Sequence, residues 1–198
     1  MKSKLKPENF DVPALTSLKI RHLLNNIGEI GTNYLECGVH KGGTFTSSVS
    51  GNDNLKHITA IDSFESDAIN QDKAQPQFVS NALKFLPVNS SYKLIVSDSF
   101  RVDISEIPNG VDIYLYDGDH SRESQEKALT YYYPVLADEF IFMVDDYDWS
   151  EVQEGTQSAI KKVKCDIIFQ KYIPSIGSHN NDNWWNGFYI ALLKKNNE

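Results

Sequence analysis

Two kinds of hydrophobic periodicity alternate along this chain. Short apolar runs that stop at polar or acidic turns read as buried strands, and between them lie segments whose apolar positions recur three and four residues apart. The first helix is predicted over Val12–Ile27, with Leu15, Leu18, Leu23, Leu24 and Ile27 on one face and Gly28 as its stop. A strand over Asn33–Cys37 and a brief helix over Thr44–Ser50 follow, then a strand over His57–Ile61. Ser66 to Gln77 is polar and reads as a mobile loop, after which Phe78, Ala82 and Phe85 mark a helix ended by Pro87. Tyr92–Val96 and Ile113–Tyr116 are the next strands. Ser121 opens a helix in which Ala128, Leu129, Tyr132 and Leu136 fall near helical spacing, with Pro134 at its end. A strand over Phe140–Val144, a helix over Trp149–Lys164 with Val152, Ala159, Ile160 and Val163 inward, and a strand over Cys165–Gln170 complete the alternation. The polar stretch Ser175 to Asn183 reads as a loop rimming a site, Trp184 and Trp185 as packing residues or a ring-stacking platform, and Phe188–Leu193 as a last strand.

Strands alternating with helices predict an α/β sandwich with helices on both faces of a mostly parallel sheet of about seven strands. The final two strands have no helix between them and should pair antiparallel. The central unit is the stretch DIYLYDGDHSRESQEKALTYYYPVLADEFIFMVDDY, strand, acidic turn, helix, strand, acidic turn. Such a unit crosses over right-handed, so neighbouring strands ~4.8 Å apart bring Asp117-Gly118-Asp119-His120 beside Asp145-Asp146-Tyr147 at the carboxyl edge. That edge is where open α/β sheets bind ligands. Carboxylates converging there repel unless a cation or proton intervenes.

Earlier turns add to this edge. Glu36-Cys37-Gly38-Val39-His40-Lys41-Gly42-Gly43 joins a strand to a helix through glycines, which allow close backbone approach to a ligand. The spacing is not G-x-G-x-x-G, which counts against a dinucleotide reading. Asp62 ends the next strand, where a carboxylate can accept hydrogen bonds from ribose hydroxyls or simply cap a loop. Asp98, in Ser97-Asp98-Ser99-Phe100, could meet an adenine amino group or cap its own turn.

Composition narrows the function classes. The 198 residues suit a single domain, with residues 1–30 as an N-terminal covering region. A formal net charge of −8 argues against nucleic acid or an anionic membrane as partner. Cys37 and Cys165, the two cysteines, read as free thiols of a reducing compartment. The N-terminus has no apolar signal core and no run long enough to span a bilayer, so a cytoplasmic location is expected.

Five segments in order carry a resemblance: YLECGVHKGG, AIDSFES, YLYDGDHSRES with KALTYYYPVL, VDDYDW and EGTQSAI. Together they resemble the motifs of class I S-adenosylmethionine-dependent O-methyltransferases, nearest the TylF/NovP-like sugar O-methyltransferases, over Tyr34 to Val163. The resemblance implies a Rossmann-like seven-stranded sheet with an antiparallel last strand. It implies that Glu36, Gly38 and the backbone of Val39 to Gly43, Gly42 included, hold the methionine part of the cofactor. Asp62 and Ser63 would then take the ribose, Asp98 and Ser99 the adenine, and Asp117 would border the cofactor. In the metal-dependent members the equivalents of Asp117, Asp145 and Asp146 bind a divalent cation, Mg²⁺ for an all-oxygen site. His120 stands where catechol-type relatives place a lysine base, with Asp119 as the alternative base. Imidazoles titrate near ~6.5 and can take a hydroxyl proton at neutral pH. His120-Ser121 replaces the Leu-Tyr usual in the sugar group, and Ala137-Asp138-Glu139 stands where a Gly-Gly turn is usual.

The expectation is therefore methyl transfer to a hydroxyl of a sugar or sugar-bearing small molecule, assisted by Mg²⁺, with homo-oligomerisation left open. The rival readings are a non-catalytic nucleotide-binding protein of the same fold in glycan assembly and an NAD-dependent oxidoreductase.

Overall fold

A computed structural model of the chain describes residues 2–65, 74–176 and 183–196. Its seven strands are β1 (Asn33–Cys37), β2 (His57–Asp62), β3 (Ser91–Val96), β4 (Val111–Tyr116), β5 (Leu136–Asp145), β6 (Cys165–Ile173) and β7 (Phe188–Lys195). They form one sheet in the order β3-β2-β1-β4-β5-β7-β6. Pairings from β3 through β5 are parallel, and β7 runs antiparallel between β5 and β6. The predicted architecture holds, including the antiparallel closing pair. β6 is an outer strand, and its Ile168 and Phe169 are more than half exposed at 56% and 54%.

Alternate side chains of each inner strand feed two cores. Ile113, Leu115 and Met143 pack with Ile20 and Leu24 of α1 (Leu18–Gly28), Phe45 and Val49 of α2 (Gly43–Val49), and Phe78 and Ala82 of α3 (Ala74–Phe85). Tyr114, Tyr116, Phe142 and Val144 pack on the other face with Ala128, Leu129 and Tyr132 of α4 (Arg122–Tyr132), and with Val152, Ala159 and Ile160 of α5 (Ser150–Lys162). Period-two alternation is thus buried on both sides, as a covered parallel sheet requires.

Three element boundaries differ from expectation. α1 begins at Leu18 rather than Val12, because Ser17 accepts the Ile20 N–H and starts the helix there. Leu15 is consequently 59% exposed, and Arg21 and Asn25 join the buried face instead. Both are fully engaged: Arg21 donates to Ser47 Oγ at 2.8 Å, and Asn25 donates to the Ser47 and Ser50 carbonyls. These bonds fasten α1 to α2.

The expected loop Ser66–Gln77 falls largely outside the described residues, but Ala74 to Gln77 are the first turn of α3, where Pro76 needs no helical partner for its nitrogen. Leu136 opens β5 instead of closing α4, since Pro134 ends the helix in a short 3-10 turn, Tyr133–Val135. Ala137-Asp138-Glu139 therefore lies in a strand, where Glu139 pairs with Lys194 of β7 at 2.8 Å.

The α4–α5 contact depends on Gly155. A Cβ there would lie 2.4 Å from the Arg122 carbonyl oxygen and 2.6 Å from the Gln125 Cβ. Alanine is ~1 kcal/mol the better helix former in an exposed helix, yet Gly155→Ala should destabilise this protein by roughly 1–3 kcal/mol through overpacking. Urea unfolding checks the sign, and a gain in stability would mean that the two helices separate without cost.

Candidate functional site

The sheet register builds the site. Cys37 lies opposite both Ile61 and Tyr116, and Tyr116 opposite Val144, so β1, β2, β4 and β5 end in line. Backbone bonding continues past the strand ends: Gly38 N–H donates to the Ile61 carbonyl at 2.9 Å and Asp117 N–H to the Cys37 carbonyl at 2.8 Å. Gly38 has a φ of +87°, and a Cβ on it would meet the Asp117 carbonyl oxygen at 2.0 Å, so glycine is required there. Because β7 is antiparallel with Phe188 opposite Asp145, Asn186 and Gly187 reach the same edge.

Above this edge lies a pocket of about 760 Å³, within the usual range for small-molecule sites. Its wall includes Gly38, Val39, Gly43, Asp62, Ser63, Asp98, Ser99, Asp117, Asp119, His120, Asp145 and Asp146. All but two of the site residues expected from the sequence, Glu36 and Gly42, are therefore on it. Gly42 caps α2 in the left-handed conformation. Glu36 is fully buried, and Thr44 donates a hydroxyl to it at 2.6 Å while Tyr34 donates a second, short bond. Burial outweighs those two bonds and lifts its carboxyl from 4.5 to about 7. Glu36 thus supports the wall through Thr44, which lines the pocket.

Asp62 is oriented by two backbone donors, His40 N–H at 2.8 Å and Phe64 N–H at 2.7 Å. Its carboxylate ties the glycine turn to the end of β2. Asp98 is exposed and accepts the Phe100 N–H at 2.8 Å, so it closes its own turn while facing the pocket. Asp119 turns toward α4, where its Oδ1 accepts both the hydroxyl and the N–H of Ser121. Those bonds hold its carboxyl below the usual carboxylate range despite some opposing desolvation.

Asp117 and Asp145 move the other way. Burial, followed by the charge of neighbouring carboxylates, holds both well above the ordinary carboxylate range. Asp145 Oδ1 accepts the Asp146 N–H at 3.0 Å, which only partly opposes the shift. Asp146 takes a left-handed φ of +55°, a conformation aspartate tolerates better than most residues. Asn186 Nδ2 donates to its Oδ1 at 2.6 Å, and His120 Nε2 stands 2.8 Å from its Oδ2. The histidine contact is close but lacks hydrogen-bond alignment, leaving Nε2 shut off from solvent with no properly directed partner. The His120 and Trp149 rings meet in a tilted, T-shaped contact at 4.8 Å between centroids.

One ligand atom each from Asp117, His120 and Asp146 lie within 4.8 Å of one another. Of the expected metal set, the fold brings Asp117 and Asp146 into this group, with His120 in the third place rather than Asp145. Sequence reasoning did not find Asn186, Trp149, Tyr116, Phe100 or the Pro13-Ala14-Leu15 segment, the last three of which line the pocket. Only the left-handed turn before β7, unreadable from composition, delivers Asn186. Among the described residues no helix is long and apolar enough to cross a membrane.

The sheet order, with a pocket at its carboxyl edge, is that of a Rossmann-like methyltransferase fold. The chain belongs to the methyltransferase-domain family, whose sequence model matches residues 35–147. A relative of 26% identity over 159 residues, 78% of this chain and 69% of the other, is an uncharacterized protein, R132, of Acanthamoeba polyphaga mimivirus. Among solved structures, cofactor-bound Rv0187 from MTB superposes with a TM-score of 0.63 at 13% identity, covering 96% of this chain and 86% of that one. The O-methyltransferase from Bacillus cereus in complex with SAH gives 0.60 at 12% identity, over 94% and 86% of the two chains. A putative O-methyltransferase from Klebsiella pneumoniae gives 0.57 at 13% identity, over 96% and 91%. At these identities the likeness is one of fold.

Glu36 generates a pH prediction. Its folded pKa of about 7 exceeds the ordinary glutamate value of 4.5, so the folded state holds a proton that the unfolded chain releases. The stability it contributes is complete below about 4.5 and is lost as pH rises through about 7. Glu36→Gln cannot ionise, so the variant should gain on the wild type between pH 5 and pH 8 by up to roughly 3 kcal/mol, at ~1.4 kcal/mol per pKa unit. Denaturant unfolding of both proteins at the two pH values reads this difference, and parallel pH dependences would contradict it.

Proposed function

We propose that this protein transfers a methyl group from S-adenosylmethionine to a hydroxyl of a sugar or another neutral polyhydroxylated small molecule. The observation that carries this reading is one pocket with two functional limbs: Asp62, Ser63, Asp98 and Ser99 on one side, and Asp117, His120 and Asp146 on the other. The first limb fits a nucleoside. Asp62 is pre-oriented by backbone donors and has further lone pairs for ribose hydroxyls, while the exposed Asp98 suits an amino group at the far end.

The cofactor, when bound, supplies an electrophilic methyl, and a divalent cation would supply positive charge opposite an ionising hydroxyl. Asp117, His120 and Asp146 fit such a cation because their ligand atoms already converge and the His120 Nε2 has no aligned partner. Mg²⁺ is the cation that the sequence motifs favour. The remaining work falls to the protein. Gly38 and the turn after it let the backbone come close to the cofactor, and Trp149, beside His120 and 47% exposed, offers an apolar face to an incoming sugar ring. The carboxylates on the wall disfavour an anionic acceptor and can hydrogen-bond to the hydroxyls of a neutral one. Proton removal from the acceptor falls to Asp119, the carboxylate of the Asp117–His120 turn that lies outside that group. Methyl transfer then needs mainly alignment.

Thermal unfolding with S-adenosylhomocysteine, S-adenosylmethionine and NAD tests the cofactor. At ~100 times its dissociation constant a ligand adds ~2.7 kcal/mol, a shift of about 2–4 °C for a domain of this size. The two S-adenosyl compounds should shift the midpoint and NAD should not; a shift with NAD alone would sink the reading. Asp98→Ala, which removes an exposed carboxylate, should weaken S-adenosylhomocysteine about tenfold by calorimetry with little change in stability. Transfer of a labelled methyl from S-adenosylmethionine to a panel of free and nucleotide-linked sugars tests the acceptor, and labelling confined to acidic substrates would contradict the neutral-acceptor assignment.

A further inference from the structure

His120 follows Asp117 in the same turn and would be read from order alone as a base beside an all-carboxylate site. The fold places it differently. Its Nε2 is 2.8 Å from Asp146 Oδ2 without the alignment of a hydrogen bond, and Asp117 completes a group of three ligand atoms. Octahedral bonds of about 2.0–2.1 Å put neighbouring ligand atoms roughly 2.9 Å apart, so the His120–Asp146 distance of 2.8 Å is short enough for two donors to share one cation.

The partners around the group hold it in that pose. Asn186 occupies Asp146 Oδ1, which leaves Oδ2 toward His120. The Trp149 ring packs on the imidazole, and the left-handed backbone of Asp146 turns its side chain back over the edge. Supports of this kind fix ligand direction in metal sites. Asp145, by contrast, is 6% exposed and directs Oδ1 at the Asp146 N–H.

We propose that His120 is a metal ligand rather than the proton acceptor, and that with Asp117 and Asp146 it holds a first-row transition cation, for which Mn²⁺ serves as the paramagnetic probe, in preference to Mg²⁺. This deepens the metal-assisted reading given above and rests on it. Two carboxylates and an imidazole are a mixed oxygen and nitrogen donor set; imidazole suits transition cations, whereas Mg²⁺ favours oxygen donors and retained water. Three protein donors leave positions open for substrate oxygens. With His120 committed, Asp119 on the same wall remains to take the hydroxyl proton.

The test uses Mn²⁺ alone on the full chain, stripped of metal. Pulsed electron paramagnetic resonance of bound Mn²⁺ should show ¹⁴N coupling from one imidazole. The coupling should vanish in His120→Gln and persist in His40→Gln, the other histidine on the pocket wall. Competition titrations should show the Mn²⁺ over Mg²⁺ affinity ratio falling at least tenfold in His120→Gln, and Asp146→Asn should lose Mn²⁺ affinity more than Asp145→Asn does. Bound Mn²⁺ without ¹⁴N coupling in the wild type, coupling that survives His120→Gln, or no Mn²⁺ bound at all would each overturn the proposal; the first and last need no variant to fold. Calorimetry with S-adenosylhomocysteine on the same samples separates the two levels. If it binds while the Mn²⁺ results fail, the methyltransferase reading stands and the histidine ligand is lost; if it does not bind, the methyltransferase reading itself is lost.

Discussion

Two backbone hydrogen bonds, Asp117 N–H to the Cys37 carbonyl and Gly38 N–H to the Ile61 carbonyl, carry the parallel register one residue beyond the ends of β4 and β1. Every functional element depends on that alignment. A slip by one residue would turn each side chain to the opposite face of the sheet, burying polar groups among the tyrosines and phenylalanines of one core and bringing apolar groups to the edge. Gly38 sits at the crossing point, where β1 and β4 approach too closely for any side chain. Beyond it, the chain is released into turns that all open on the same side.

The same alignment concentrates negative charge. Asp62, Asp117, Asp145 and Asp146 end neighbouring strands, with Glu36 buried beneath them. Burial and mutual repulsion raise Glu36, Asp117 and Asp145 above the ordinary carboxylate range, while Ser121 holds Asp119 below it. One turn therefore carries two carboxyls with opposite tendencies, Asp117 toward the protonated form and Asp119 toward the ionised one. Differences of this kind between adjacent acids are how a site separates electrostatic from acid–base duties.

The N-terminal segment enters the site indirectly. Arg21 and Asn25 spend their hydrogen-bonding capacity on α2, and burial lowers the guanidinium to about 10. Desolvating an arginine without a carboxylate partner is expensive, yet its donors reach Ser47 and the carbonyls of Val12 and Asn9. Those bonds draw the chain between Asn9 and Ser17 down onto the sheet edge, so that Pro13, Ala14 and Leu15 close one side of the pocket. An amphipathic helix that looked like plain cover thus shapes the binding site through the irregular turn before it.

By itself the sequence determined the α/β alternation, the seven strands, the antiparallel closing pair and about half of the pocket wall. Strand cores and acidic strand ends are local features, and parallel crossover units have essentially one way to pack. Ser121 and Pro134 bounded α4 in the sequence as they do in space. The start of α1 was not legible, because the apolar positions from Val12 continue the helical period that Ser17 interrupts with a cap. Nor was the placing of Leu136, which fits a helical face and a strand start equally well. What only the tertiary structure decided is how the carboxylates divide their work: Glu36 as a buried support, Asp119 turned to its helix, and His120 drawn to Asp146 while Asp145 lies beneath. Those directions follow from the left-handed turn at Asp146, from Trp149 beside the imidazole and from Asn186, which arrives in the turn before β7, 40 residues later in the chain. Contacts between residues so far apart are fixed by how sheets and helices pack, which no local pattern of residues encodes.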